Sequence, residues 1–117
     1  MADPPGPIPC AGVQTQEWHA WIDTMPPGPN TLIVIGEAQV PNPGVEAILV
    51  PTNPQGINPQ ILMLDVLFHQ RPGAWPQVMT WIPLRYERRA SGPTAYTEVT
   101  VMCEGNPIVQ IPVQVVS

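Results

Sequence analysis

The chain has 117 residues and a net charge of −5, with nine acidic residues against four arginines and no lysine. This length is typical of one domain. Without lysine, the chain has no residue for a Schiff base, for pyridoxal phosphate or for the lysine of a phosphate-binding loop. The acidic balance argues against nucleic acid as a partner. No run of 18 apolar residues is present, so we expect no membrane-spanning helix.

Prolines divide the chain into short apolar runs. Two of the 18 prolines, Pro83 and Pro112, lie inside such runs, and the others lie between the runs or near the N-terminus. Proline has no backbone N–H and a fixed φ, so it is excluded from helix interiors and from central strands. The pattern therefore predicts many brief strands and essentially no helix.

The first 14 residues form a Pro/Gly-rich segment, which we expect to be an extended arm before a single domain at 15–117. The start, Met1–Pro5, lacks the positive and apolar regions of a signal peptide. It is similar to the polar, proline-rich start of a mature exported protein to which Met1 has been added. The arm and the use of cysteine therefore favour an extracytoplasmic location.

Seven candidate strands follow the arm, at 15–24, 31–40, 45–51, 60–70, 77–89, 94–103 and 107–116. Turns rich in proline and glycine separate them. Short strands at this spacing predict an all-β fold, an antiparallel two-sheet sandwich of immunoglobulin-like type. A small β-barrel is the alternative. Pro112 predicts an edge position for the last strand, and Pro83 predicts an edge or a bulge in the fifth.

Parts of the chain resemble a group of small bacterial proteins. The segments are PQGINP at 54–59 and ILMLDV at 61–66, followed by RYE at 85–87 and YTEV at 96–99. They are similar to those of small uncharacterised bacterial β-sandwich proteins, over about residues 31–115. The resemblance implies a small β-sandwich and implies no activity, cofactor or catalytic residue.

The two cysteines, Cys10 and Cys103, lie near opposite ends of the chain. A bond between them would close a loop of about 90 residues and stabilise the fold by about 4–5 kcal/mol in the chain-entropy model. It would also tie the arm to a late strand. The alternative is a pair of unrelated buried thiols, since free cysteine behaves as a small apolar residue.

The sequence offers few groups for catalysis. Its only serines are Ser91, in a predicted turn, and Ser117, and a disulfide would consume both thiols. Nucleophilic hydrolysis needs a nucleophile, a base and an orienting acid within reach of one another. We therefore expect no catalytic residue, no cofactor and a chain that is not an enzyme.

Asp65 interrupts the most apolar run of the chain and shares its predicted face with His69. If its strand is central, either that face is open to water or the carboxylate must be paired. An ion pair with an arginine of the fifth strand, such as Arg85, is the expected solution.

A small-ligand or metal site is the rival hypothesis, built from His19, His69, Asp65 and Arg85. The histidines and methionines have no paired spacing of the kind that metal sites use, so we expect no metal. The rival hypothesis requires these four side chains to converge in one pocket.

Aromatic side chains are the leading candidates for binding. Trp21, Trp81 and Tyr96 are predicted to face outward, and Trp75 lies in a loop between two prolines. Exposed tryptophans can stack on sugar rings or anchor a protein partner, whereas the alternative is that they close the ends of the sandwich. The sequence thus predicts a non-catalytic binding or structural domain that contacts protein or glycan and can self-associate through a sheet edge or face.

Overall fold

The computed structural model describes residues 5–116, which form eight β-strands and no helix. The strands are β1 (Gly6–Ile8), β2 (Thr15–Asp23), β3 (Thr31–Val40), β4 (Val45–Pro51), β5 (Ile61–Gln70), β6 (Thr80–Arg89), β7 (Glu98–Cys103) and β8 (Asn106–Val116). The all-β class is confirmed, and β2 to β8 correspond one to one to the seven predicted strands. The first four residues of the predicted arm, and residue 117, lie outside the described residues.

The strands form one mixed sheet that curls into a half-barrel. Their order is β1-β5-β7-β8-β2-β3-β6, and β4 pairs with the other side of β5. The β2–β8 and β5–β7 pairings are parallel, and the remaining pairings are antiparallel. The expected wholly antiparallel arrangement is therefore corrected at two places. Alternation along a strand fixes its buried face but not the direction of its neighbour.

The predicted arm contains a strand, β1, that the sequence pattern did not reveal. β1 pairs with the last residues of β5, whereas β7 pairs with the first half of β5. Because β4 lies along the opposite side of β5, β1 and β7 share one side and meet end to end. Cys10, just after β1, and Cys103, the last residue of β7, are bonded at this junction, with their Cα atoms 5.8 Å apart. The expected disulfide is confirmed, and it holds two short strands in line.

β8 changes its partner partway along its length. It pairs with β7 as far as Pro112, and from Val113 onward it pairs with β2. The prediction that Pro112 marks an edge strand is therefore wrong, because β8 lies between β7 and β2. Proline is accommodated because the ladder with β7 ends there, and the next N–H, of Val113, donates to the Thr97 carbonyl at 3.0 Å. By contrast, β6 carries Pro83 and pairs only with β3, so its predicted edge position is confirmed.

One apolar core lies inside the curled sheet and draws buried side chains from β2 to β8. Along β5 the burial alternates as the sequence predicts, with Asp65 and His69 facing away from the core. β7 departs from simple alternation, because Thr100 is buried as well as its neighbours Val99 and Val101. β7 is an interior strand between β5 and β8, so both of its edges are paired, and every residue from Val99 to Cys103 is buried. The Thr100 hydroxyl lies 3.3 Å from Glu98 Oε2, to which it donates a hydrogen bond.

Candidate functional site

A groove with a volume of about 770 Å³ opens on the outer face of β4 and β5. We call it the acidic groove. The segment around β1 forms one wall, and the turn between β7 and β8 forms another. The outward-facing residues that line it are Glu46, Ile48, Asp65, Leu67, His69 and Glu104.

The floor of the acidic groove is aliphatic. Ile48 of β4 and Leu67 of β5 are directly paired across the two strands, and their exposed fractions are 55% and 49%. Pro7 and Pro9 add apolar surface from the wall formed by β1. Single exposed apolar residues are common on protein surfaces, whereas adjacent ones in a concave setting are typical of a binding surface.

The rim of the acidic groove carries three carboxylates and one imidazole. Glu46 Oε1 lies 3.3 Å from His69 Nδ1, and Asp65 Oδ1 accepts a hydrogen bond of 2.9 Å from the Thr52 hydroxyl. No arginine lines the groove, and the chain has no lysine. The carboxylates therefore give the groove a negative potential that no neighbouring guanidinium or ammonium group cancels.

The third carboxylate, Glu104, belongs to the hairpin turn between β7 and β8. Glu104 and Gly105 have φ values of 49° and 84°. Positive φ at both central residues is the geometry that two-residue hairpins prefer. The turn follows directly on Cys103, so the disulfide fixes this wall of the groove to the adjoining wall at Cys10.

The four residues of the rival ligand-site hypothesis do not converge. Asp65 and His69 lie on the outer face of β5 and line the acidic groove. His19 is paired with Ile35 in β3, and Ile35 is paired with Arg85 in β6. His19 and Arg85 therefore lie on the outer face of the other half of the sheet, and the set divides into two pairs.

The expected ion pair between Asp65 and Arg85 is not formed. Asp65 is hydrogen-bonded to Thr52, which follows β4, and Arg85 Nε lies 3.4 Å from Glu87 Oε2 on its own strand. An ion pair is needed only where this face of β5 is closed to water. The carboxylate instead faces the groove and is half-buried, so water and one hydroxyl solvate it without a counter-ion.

Two of the four aromatic residues predicted to bind a partner are packed against arginines. The Arg71 guanidinium lies 4.7 Å from the centre of the Trp75 ring, and Trp75 Nε1 donates to the Arg71 carbonyl at 3.0 Å. The Arg88 guanidinium lies 5.7 Å from the centre of the Tyr96 ring. Both rings are half-buried, so each contributes to the packing of its own segment.

The other two, Trp21 and Trp81, lie far apart on the outer face of the half formed by β2, β3 and β6. Trp21 lines a smaller depression of about 440 Å³ with His19 and Gln114. Trp21 lies in the same cross-strand row as Glu87 of β6. Trp81, which is 39% exposed, lies six residues before Glu87 along β6. Six residues of strand span about 20 Å, so the two indoles do not form one surface. Their role in binding stays a prediction.

Sequence analysis missed four lining residues of the groove, namely Glu46, Ile48, Leu67 and Glu104. Alternation identifies one of them, because Leu67 shares the outward face of β5 with Asp65. The other three belong to β4 and to the turn before β8, and only strand pairing brings them to β5. No local pattern in the sequence predicts that these three residues lie next to β5.

Within residues 5–116, no three His, Cys, Asp or Glu side chains are placed so that they could hold a metal ion together. The same range has no helix that is long and apolar enough to cross a membrane. Comparisons of the chain with known protein families, with curated proteins and with solved structures give no match. The resemblance to small bacterial β-sandwich proteins therefore stays a prediction.

Proposed function

We propose that the chain is a non-catalytic binding domain whose acidic groove binds a polypeptide segment. An apolar side chain of that segment packs on Ile48 and Leu67, and an adjacent arginine or lysine contacts a carboxylate of the rim. The observation that carries the proposal is an exposed aliphatic pair bordered by carboxylates, in a groove that no arginine lines. The volume of about 770 Å³ lies within the range of ligand clefts, about 300–1,000 Å³.

The charge of the groove favours a basic ligand over a neutral one. A neutral ligand would remove water from Glu46, Asp65 and Glu104 without replacing the lost interactions, which costs free energy. An arginine or lysine side chain has an aliphatic stem and a charged end. The stem can cover Leu67 while the charged end reaches a carboxylate.

The exposure of the acid and base groups supports binding rather than catalysis. Glu46 and His69 form the one carboxylate–imidazole contact of the groove, and their side chains are 57% and 50% exposed. Catalytic acid–base groups generally work in sites from which water is excluded. The four residues of the rival site, His19, His69, Asp65 and Arg85, lie on two separate surfaces and so do not form one catalytic site. The proposal includes no cofactor.

A glycan is the second candidate ligand, at a different site. In the depression around Trp21, the His19 imidazole and the Gln114 amide make no hydrogen bond to another described residue. An indole face beside two such polar groups suits a sugar, which offers a C–H surface for stacking and hydroxyls for hydrogen bonds. Titration with a neutral oligosaccharide tests this candidate, and Trp21→Ala should abolish any binding.

We also propose that the curled sheet is a variant of the immunoglobulin-like sandwich. Two groups of strands support this description, namely β1, β4, β5 and β7 on one side and β2, β3 and β6 on the other. β8 pairs with a strand of each group, and both groups bury side chains in one core. An experimental structure in which the two groups face each other would establish it.

The binding proposal is tested by fluorescence anisotropy with a labelled peptide in which one leucine is flanked by two arginines. Glu104→Gln should weaken binding about two- to fivefold, because an exposed charge pair contributes about 0.2–1 kcal/mol. Leu67→Ser should weaken it by about tenfold, through the loss of apolar contact area. Glu17→Gln is the matched control, since Glu17 is an exposed carboxylate on β2 outside the groove.

Two results would overturn the binding proposal. One is an equal loss of affinity in Glu17→Gln and Glu104→Gln, which would show only a general charge effect. The other is unchanged affinity for a peptide in which glutamates replace the arginines. Circular dichroism of each variant confirms that the sheet is intact.

A further inference from the structure

The arginines of this chain are concentrated on one strand. Arg85, Arg88 and Arg89 lie on β6, and the fourth, Arg71, donates hydrogen bonds to two backbone carbonyls just before β4. None of the four lines the acidic groove or pairs with its carboxylates. The positive charges and the carboxylates of the groove therefore stay apart within one molecule.

The outward face of β6 carries apolar groups beside positive charges. Trp81, Pro83, Arg85, Glu87 and Arg89 alternate along this exposed face. Arg85 is paired with Glu87 at 3.4 Å, whereas Arg89 makes no ion pair, hydrogen bond or ring contact with another described residue. Pro83 and Arg85 are two residues apart, about 7 Å along a strand. The face thus presents the two kinds of group that the acidic groove is proposed to bind.

The outward side chains of β6 are also accessible to a partner. It pairs only with β3 and ends the strand order of the sheet. Pro83 has no N–H, so a new strand cannot form an unbroken ladder along β6. Contact through the outward side chains remains open, and these side chains are exposed.

We propose that the segment bound in the acidic groove is the outward face of β6 of a second copy of this chain. This inference rests on the proposed function of the groove and names its partner. The groove and the β6 face are different surfaces, so the contact is heterologous. Each copy offers β6 to one neighbour and its groove to another, which generates a row of copies that is open or closes into a ring.

The net charge of the chain opposes this contact only weakly. The charge is −5, and at physiological salt the Debye length is about 8 Å. Repulsion between whole molecules is therefore largely screened. A guanidinium group in contact with a carboxylate lies well within that length, so its attraction persists.

Sedimentation velocity of the full chain, over a range from about 10 μM to 1 mM, tests the inference. The average mass should rise with concentration and should not level off at that of a dimer. Leu67→Trp fills the groove with a larger outward side chain, and Arg89→Glu reverses the unpaired charge on β6. Each variant should raise the dissociation constant at least about tenfold, while Glu17→Gln leaves it unchanged.

A mixing experiment gives the sharper result. The Leu67→Trp chain keeps its β6 face, and the Arg89→Glu chain keeps its groove. An equimolar mixture should form a species of twice the monomer mass and no larger species, because each chain has one working surface. Groove binding of the leucine–arginine peptide is measured in parallel on the same native protein.

The outcomes separate this inference from the proposal on which it rests. If the peptide binds but the native chain stays a monomer at 1 mM, the groove binds a different protein and the inference is wrong. The inference is also wrong if the chain self-associates and neither variant weakens the association. If neither the peptide nor a second copy binds, both the inference and the proposed function are overturned.

Discussion

The indole of Trp75 lies so close to the backbone of Gly44 that no side chain fits between them. A Cβ at residue 44 would overlap three atoms of the ring. Gly44 is buried just before β4, and Trp75 lies in the connection between β5 and β6. Arg71 covers the ring from another direction. Trp75, which sequence analysis proposes as a binding residue, therefore also packs the connection between β5 and β6 against the turn before β4.

Gly44→Ala should destabilise the protein by about 1–3 kcal/mol, because the added methyl group must displace a large ring. In a Trp75→Ala background the same change should cost much less, since the obstacle has been removed. Urea unfolding of the native chain, the two single variants and the double variant measures the coupling free energy between Gly44 and Trp75. Gly28→Ala is the control, because nothing lies within 4 Å of a Cβ there. Equal costs of Gly44→Ala in both backgrounds would contradict the packing described here.

A second glycine–tryptophan contact occurs inside the sheet. Gly36 in β3 lies under the Trp18 indole, where a Cβ would overlap the ring, and Trp18 Nε1 donates to the Thr15 hydroxyl at 2.9 Å. Gly36→Ala should lower the unfolding free energy by about 1–3 kcal/mol and should change the near-ultraviolet circular dichroism of the tryptophans. A spectrum identical to that of the native chain would count against the contact.

Asn42 and Gln70 form a buried pair of amides. Asn42 Nδ2 donates to Gln70 Oε1 at 2.8 Å, and Gln70 Nε2 donates to Asn42 Oδ1 at 3.0 Å. Asn42 Oδ1 also accepts a bond from the Gly44 N–H. Asn42→Leu should cost about 1–3 kcal/mol, because it leaves buried polar groups without partners. Asn42→Leu with Gln70→Leu should cost less than the sum of the single changes, and strict additivity in urea unfolding would argue against the pair.

The disulfide between Cys10 and Cys103 should contribute as much as about 4–5 kcal/mol to stability, because it closes a long loop in the unfolded chain. Reduction, or Cys10→Ser with Cys103→Ser, should therefore lower the denaturation midpoint. Because β1 is only three residues long, its Ile8 amide should also lose protection from hydrogen exchange before the amides of β3. Unchanged exchange at Ile8 in the reduced protein would show that β1 does not depend on the bond.

Seven of the eight strands, β2 to β8, could be predicted from the sequence because each depends on a local pattern. β3 and β4 begin and end at the predicted residues, and Pro83 marks an edge strand through the chemistry of its own backbone. Pairing direction could not be predicted in this way, since it depends on segments distant in the chain. Pro112 shows the difference, because the missing N–H fits an edge and equally fits a change of partner within the sheet.

The candidate site shows the same limit. The shared outward face of Asp65 and His69 follows from alternation along β5, and the structure places both in the groove. The hydrogen-bond partner of Asp65 could not be predicted from alternation. A carboxylate can be satisfied by an arginine or by a hydroxyl group, and here the Thr52 hydroxyl donates to it. Ile48 and Leu67 look like two ordinary core residues until the pairing of β4 with β5 places them side by side outside the core.

The change of partner in β8 has a consequence for biosynthesis. β8, the strand that joins β7 to β2, leaves the ribosome after the other seven described strands. Until it has emerged, a nascent chain exposes unpaired edges on both of those strands, and such edges invite pairing with other chains. The sheet therefore closes late, and a factor that shields strand edges during translation should raise the yield of native protein.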